Sequence, residues 1–188
     1  MSVASKLMTT EELLALPDDG VDRELIRGEL RERTMTTRGE PHCLALYNLS
    51  YLIGHWLRAQ PRPRGAAYSG DIRFRLRRNP DTFVGIDLAY ISPEHKARKP
   101  KDATFIDGPP VLAVEILSPH DTAEDIAEKV REYQAAGVPL VWVVDPYFRT
   151  VTVHRPDARP EMFNEDQELT AEPHLPGFRT PVAEIFAD

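Results

Sequence analysis

Cysteine is almost absent: the 188 residues carry one, Cys43. A lone thiol closes no internal disulfide, so the chain is expected to rely on its core and to work in a reducing, cytoplasmic compartment. Long apolar runs are also missing. The best, residues 140–144, is five long, where a membrane span needs ~20. The first thirty residues are charged throughout and hold no apolar h-region, so neither a secretory signal nor a membrane partner is expected. No Cys/His zinc spacing, phosphate-binding loop or Gly-x-Ser-x-Gly elbow occurs. Internal repeats and low-complexity blocks are lacking, and the length predicts one domain over residues 1–188. Basic charge is in deficit too: 23 Lys and Arg against 30 Asp and Glu leave a net charge of −7. That total argues against a phosphate-rich partner.

Resolved along the chain, the charge tells a different story. Residues 58–101 carry 11 basic and four acidic side chains, and the flanking segments are both acidic. Clustered cations on an acidic protein make a local anion-binding face. Arg73 and Arg75 are candidate nucleic-acid contacts within it. The plainer alternative is a solvated strand edge, because Arg73, Arg75 and Arg77 alternate on one strand face.

Several elements are legible. Thr9 to Glu12 form a capping box for a short helix ending before Pro17. Residues 24–27 and 29–32 flank Gly28 as a hairpin. A long helix runs from Pro41 to about Ala59, with Leu46, Leu49, Ile53 and Trp56 at helical spacing. Strands are predicted at residues 67–76, 83–91, 111–117, 140–144 and 151–154. A helix over residues 122–136 is closed by Gly137, and Thr180-Pro181 starts a short terminal helix. The order predicts an α/β fold, a central mixed β-sheet flanked by helices.

Two strands carry a carboxylate where none belongs. Residues 111–117 are apolar on both faces apart from Glu115, and residues 83–91 repeat the pattern around Asp87. Doubly apolar strands are buried on both sides. A buried carboxylate costs several kcal/mol unless it is paired, protonated or metal-bound. Facing one another on consecutive strands, Asp87 and Glu115 would suit a hard divalent cation such as Mg²⁺. The competing reading pairs each with an arginine. On the following helix, stepping about 100° per residue gathers Ile126, Ala127, Val130 and Tyr133 into one stripe. Glu124, Asp125, Glu128, Arg131 and Glu132 fall opposite it, and Lys129 is the one charge at its flank. Lys129 is placed either to orient or deprotonate a water at the carboxylates, or to snorkel to solvent.

In this order the residues resemble the PD-(D/E)XK nuclease superfamily and, more closely, the Uma-two family of bacterial endonucleases. The resemblance spans nearly the whole chain. It rests on Glu24-Leu25-Ile26-Arg27-Gly28-Glu29, His42, Gly85 to Ile91, Pro110 to Pro119 and Lys129 with Tyr133. Gly137-Val138, Trp142 to Pro146 and Leu175-Pro176-Gly177-Phe178 complete it. It implies a restriction endonuclease-like core and Mg²⁺-dependent hydrolysis of phosphodiester bonds in DNA, with Mn²⁺ as substitute and a homodimer as the working form. Asp87, Glu115 and the Ile116 carbonyl would then hold the metal, and Glu24 would complete the site or hold a water. Two departures stand out. The superfamily's Pro-Asp is Ile86-Asp87, and the Glu-x-Lys lysine is Leu117, so the lysine's role passes to Lys129.

Other candidates carry plainer readings. Glu24 is equally an exposed hairpin charge, and His42 either touches a phosphate or is structural. Asp71 is a rival ligand or a surface ion pair, and Asp145 before Pro146 is a turn residue. Two further function classes remain at this point: a catalytically inactive nucleic-acid-binding module on the same fold, and a protein-interaction component using the acidic C-terminal third.

Overall fold

The computed structural model describes residues 7–34 and 38–188. In chain order the elements are α1 (Thr10–Leu14), β1 (Val21–Ile26), β2 (Glu29–Thr34), α2 (Glu40–Ala59), β3 (Ala66–Arg77) and β4 (Thr82–Ile91). They continue as α3 (Pro93–Arg98), β5 (Ile106–Asp107), β6 (Leu112–Ile116), α4 (Ala123–Ala135), β7 (Leu140–Asp145) and β8 (Thr150–His154). Three short strands, β9 (Glu161–Phe163), β10 (Glu168–Thr170) and β11 (Arg179–Pro181), precede a 3₁₀ turn at Val182–Ile185. No helix among the described residues is long and apolar enough to cross a membrane.

The main sheet has the order β2-β1-β4-β6-β7-β8-β9, with β3 also paired to β4 and β5 to β3. Its pairs are antiparallel except β6–β7 and β3–β5. A parallel pair needs a crossover, and α4 is the crossover from β6 to β7. The sheet is thus the mixed, helix-flanked one the sequence predicts. α2 covers one face through Leu49, Ile53 and Trp56, which pack with Leu88, Val114 and Trp142. α4 covers the other through Val130 and Tyr133, against Ala89, Ala113 and Val141. The C-terminal segment closes the α2 side with Leu175, Phe178 and Ile185.

Helix α4 is fixed at both ends. The Thr122 hydroxyl accepts from the Asp125 amide at 3.1 Å, and Glu124 and Asp125 complement the N-terminal dipole. At the other end Gly137 takes φ +91, and the Val138 and Gly137 amides donate to the Tyr133 and Gln134 carbonyls. This Schellman closure needs a residue at ease with positive φ.

The buried stripe of α4 is rotated from the one hydropathy predicts. Glu132 is 2% exposed, while Ile126 and Ala127 are only half-buried. The cause is pairing across the sheet: Glu132 accepts from Arg27 Nε (2.6 Å), Arg77 Nη2 (2.9 Å) and Thr82 Oγ1 (3.1 Å). A carboxylate with three such donors can sit inside. The inward face therefore centres on Lys129 and Tyr133, and Lys129 lies within the stripe instead of at its edge. Helix α3 and the short strands β5, β9, β10 and β11 are likewise unforeseen. α3 forms because Ser92 caps the His95 amide and Pro93 opens the first turn.

Asp81 holds the N-terminal helix, alongside the Arg75–Glu11 ion pair and the packing of Leu13. Asp81 accepts from the Thr10 amide (2.8 Å) and hydroxyl (2.6 Å), and from the Asn79 amide (3.3 Å). Burial works against its charge, but these Thr10 bonds hold its pKa below the usual carboxylate value. Asp81→Ala is expected to cost about 2 kcal/mol, the range for hydrogen bonds to a charged acceptor. Denaturant titration should show the loss above pH 4. It should fade as acid protonates the wild-type carboxylate, because a lowered folded pKa stabilises only above the unfolded value.

Candidate active site

The β4–β6 ladder pairs Leu88 with Val114 and Tyr90 with Leu112. One step further along this antiparallel register, Asp87 stands opposite Glu115 on the same face. The ladder stops there and the strands part. The Ile116 amide, freed from the ladder, donates to Asp87 Oδ2 at 2.8 Å. Asp87 and Glu115 are 5% and 6% exposed.

Helix α2 enters at this fork. His42, 2% exposed, donates from Nδ1 to the Ile116 carbonyl at 3.2 Å. That bond sets the tautomer and leaves Nε2 with its lone pair 3.6 Å from Asp87 Oδ1. Burial lowers the His42 pKa against the pull of Asp87, so the ring is neutral at neutral pH. Arg38 Nη2 lies 3.7 Å from the same Asp87 oxygen. Burial raises the Asp87 pKa, and the Ile116 amide, Arg38 and His42 only partly offset it.

From the α4 side, Lys129 Nζ reaches Glu24 Oε1 at 3.1 Å, Glu115 Oε2 at 3.3 Å and the Gly85 carbonyl at 3.4 Å. Glu24 also accepts from the Gly85 amide at 2.9 Å. One turn on, the Tyr133 hydroxyl donates to Glu115 Oε1. The pair is electrically unequal. Lys129 faces two carboxylates, and although burial opposes its charge they raise its pKa above the ordinary lysine value. Glu115 shares that one ammonium with Glu24 and also faces Asp87, so burial prevails and lifts it to about 7. Lys129 is therefore a fixed cation. It suits orienting a water or an anionic group, not removing a proton.

The fork thus gathers Asp87, Glu115, the Ile116 carbonyl, Lys129, Glu24 and His42. Glu24 is 5% exposed and so is no surface hairpin charge. His42 is placed beside Asp87 instead of at a phosphate-facing surface. The arginines expected to contact nucleic acid are engaged elsewhere. Arg73 Nη2 lies 2.5 Å from Asp22, and Nη1 donates to the Arg23 carbonyl. Arg75 is 4% exposed, holds Asp107 through Nε (3.0 Å) and Nη2 (2.9 Å), and reaches Glu11 at 2.6 Å. Carboxylates from β1, α1 and β5 neutralise both, and only the folded chain brings those together. Asp71 folds its carboxylate over Gly85, where a Cβ would lie 2.0 Å from Oδ1, and its nearest cation is Arg73 at 3.6 Å. Asp145 holds the turn, accepting from the Tyr147 and Phe148 amides. Tyr133 is the residue the sequence reading gave no role. Its spacing of four from Lys129, on one helix face, was the available signal.

Among the described residues no three His, Cys, Asp or Glu side chains cluster as a metal site. Two facing carboxylates and a carbonyl are nonetheless an all-oxygen set, which fits a hard cation that keeps several waters.

This architecture is that of a nuclease-like, restriction endonuclease-type α/β fold. The chain matches the crystal structure of "a putative nuclease belonging to DUF820" from Anabaena variabilis, with a TM-score of 0.80 and 20% identity. The match covers 95% of this chain and 97% of that chain. No curated protein matches it. The model of the Uma2 family, described as "Putative restriction endonuclease", matches residues 10–183. The chain belongs to the Uma2 family.

Proposed function

We propose that the protein is a metal-dependent endonuclease hydrolysing phosphodiester bonds, with DNA as substrate. The observation that carries this reading is the pair of buried carboxylates, Asp87 and Glu115, facing each other at the strand fork with Lys129 fixed beside them. A binding module has no use for buried acid that repels phosphate. Asp87, Glu115 and the Ile116 carbonyl would hold Mg²⁺, and the nitrogen of His42 beside Asp87 makes Mn²⁺ an acceptable substitute. The ion supplies charge neutralisation at the phosphate and a more acidic bound water. Lys129 orients the attacking water, Glu24 holds the Lys129 ammonium in place, and Tyr133 fixes the rotamer of Glu115. One such site cuts one strand, so a double-strand break takes two copies.

The test is a cleavage assay on supercoiled plasmid, single-stranded DNA and RNA with Mg²⁺ or Mn²⁺. Nicked product from the wild type, and none from Asp87→Ala or Glu115→Ala, supports the reading. Cleavage by both variants at the wild-type rate refutes it. Tyr133→Phe keeps the ring and removes only the hydroxyl that holds Glu115. It is expected to lower kcat about tenfold with KM unchanged, the pattern for an interaction that matters in the transition state.

A further inference from the structure

The 11 basic side chains of residues 58–101 divide into two groups. The strand cations are neutralised: Arg73 by Asp22, Arg75 by Glu11 and Asp107, Arg77 by Glu132 and Arg78 by Asp107. Of the other seven, Arg98 faces Glu94 on α3, while Arg58, Arg62, Arg64, Lys96, Lys99 and Lys101 hold no ion pair with another described residue. The fold brings Arg58, Arg64 and Lys96 together. Arg64 Nη1 donates to the Arg58 carbonyl at 2.9 Å, and Lys96 Nζ donates to the Gly65 carbonyl at 3.3 Å. Gly65 lies so close to β4 that a Cβ there would sit 2.1 Å from the Ile91 carbonyl oxygen.

Between α2 and β3 runs a groove of about 350 Å³, lined by Arg58, Arg64 and Lys96 together with Gly54, Leu57 and Tyr68. A Cβ at Gly54 would meet nothing within 4 Å, so the groove is open there. Leu88 also lines the groove, which opens on the α2 face of the sheet.

We propose that this groove, rimmed by Arg58, Arg64 and Lys96, seats the phosphate backbone of a nucleic-acid duplex. It deepens the nuclease reading, and rests on it for the identity of the partner. A polyanion meets repulsion over most of a surface whose net charge is −7. This groove offers Arg58, Arg64 and Lys96 side by side, so it sets where a duplex lands and how it lies.

The experiment is fluorescence anisotropy with labelled duplex DNA and, in parallel, duplex RNA, in EDTA so that nothing is cut. Arg58→Glu with Lys96→Glu is compared with Arg159→Glu plus Arg179→Glu, which changes net charge equally outside the groove. The groove variant is expected to bind about 10- to 100-fold more weakly at 100 mM salt. Its log K against log salt slope should be shallower by about 1.8, two lost phosphate contacts. If that variant melts early, Arg62→Glu with Lys101→Glu makes the same comparison on exposed neighbouring side chains. The proposal is overturned if the wild type binds neither duplex, if the groove variant binds as the wild type does, or if both pairs lose equally. Duplex binding through the groove without cleavage in Mg²⁺ or Mn²⁺ would leave it standing and sink the nuclease reading instead.

Discussion

Lys129→Met is expected to abolish cleavage and to cost about 3 kcal/mol of folding stability at pH 8, the lower end for breaking a buried ion pair. Methionine matches the stem of lysine but leaves Glu24 and Glu115 facing each other with no cation between them. Both effects come from one charge, and two further variants separate them. Glu24→Gln in the Lys129→Met background removes the Glu24–Glu115 repulsion and should recover most of the melting temperature without recovering any cleavage. Lys129→Arg keeps the charge, but its planar fork does not fit where a compact ammonium bridges two carboxylates and a carbonyl. It should fold and remain at least about 100-fold impaired, the size of effect seen when one preorganised electrostatic contact is lost. Thermal melts and plasmid nicking on the same preparations check the series. Full activity in Lys129→Met would remove Lys129 from the site.

The reason Lys129 was visible in the sequence, and Glu132 was not, is physical. Asp87 and Glu115 stand out because an ionisable group inside a doubly apolar strand conflicts with its surroundings, and that conflict is local. Lys129 is legible for the same reason, as a charge next to an apolar helical stripe. Glu132 breaks no local rule. Its burial depends on Arg27 and Arg77, which lie 105 and 55 residues away, and no helical wheel contains them. Arg75 is the mirror case. It reads as a surface cation until Glu11 and Asp107 are brought to it from two other elements. The large strands and both long helices follow from periodicity and caps. β9, β10 and β11 have three residues each, too few for a period to register. β9 forms on the open edge of β8, and β10 and β11 pair with each other.

Glu115→Gln should move stability in the direction opposite to Lys129→Met. Burial lifts the folded pKa of Glu115 from 4.5 to about 7. A folded pKa above the unfolded one gives stability that is complete below pH 4.5 and is lost as pH rises through 7. Across that window the wild type loses about 3 kcal/mol from this group, at 1.36 kcal/mol per unit. Glutamine has no charge to bury and keeps an oxygen for the Tyr133 hydroxyl. At pH 5 the two proteins should therefore melt together, and at pH 8 the variant should be the more stable. Divalent ion should close most of that gap. At a hundredfold excess over its dissociation constant, Mg²⁺ or Mn²⁺ is expected to stabilise the wild type by ~2.7 kcal/mol at pH 8, and chelation to remove the gain. Glu115→Gln, one carboxylate short, should gain little. A stabilised but inactive variant that ignores the ion is what results when a carboxylate is kept, at a cost to the fold, for its chemistry. Equal melting of wild type and variant at pH 8, with equal response to the ion, would mean that Glu115 carries no buried charge and holds no metal.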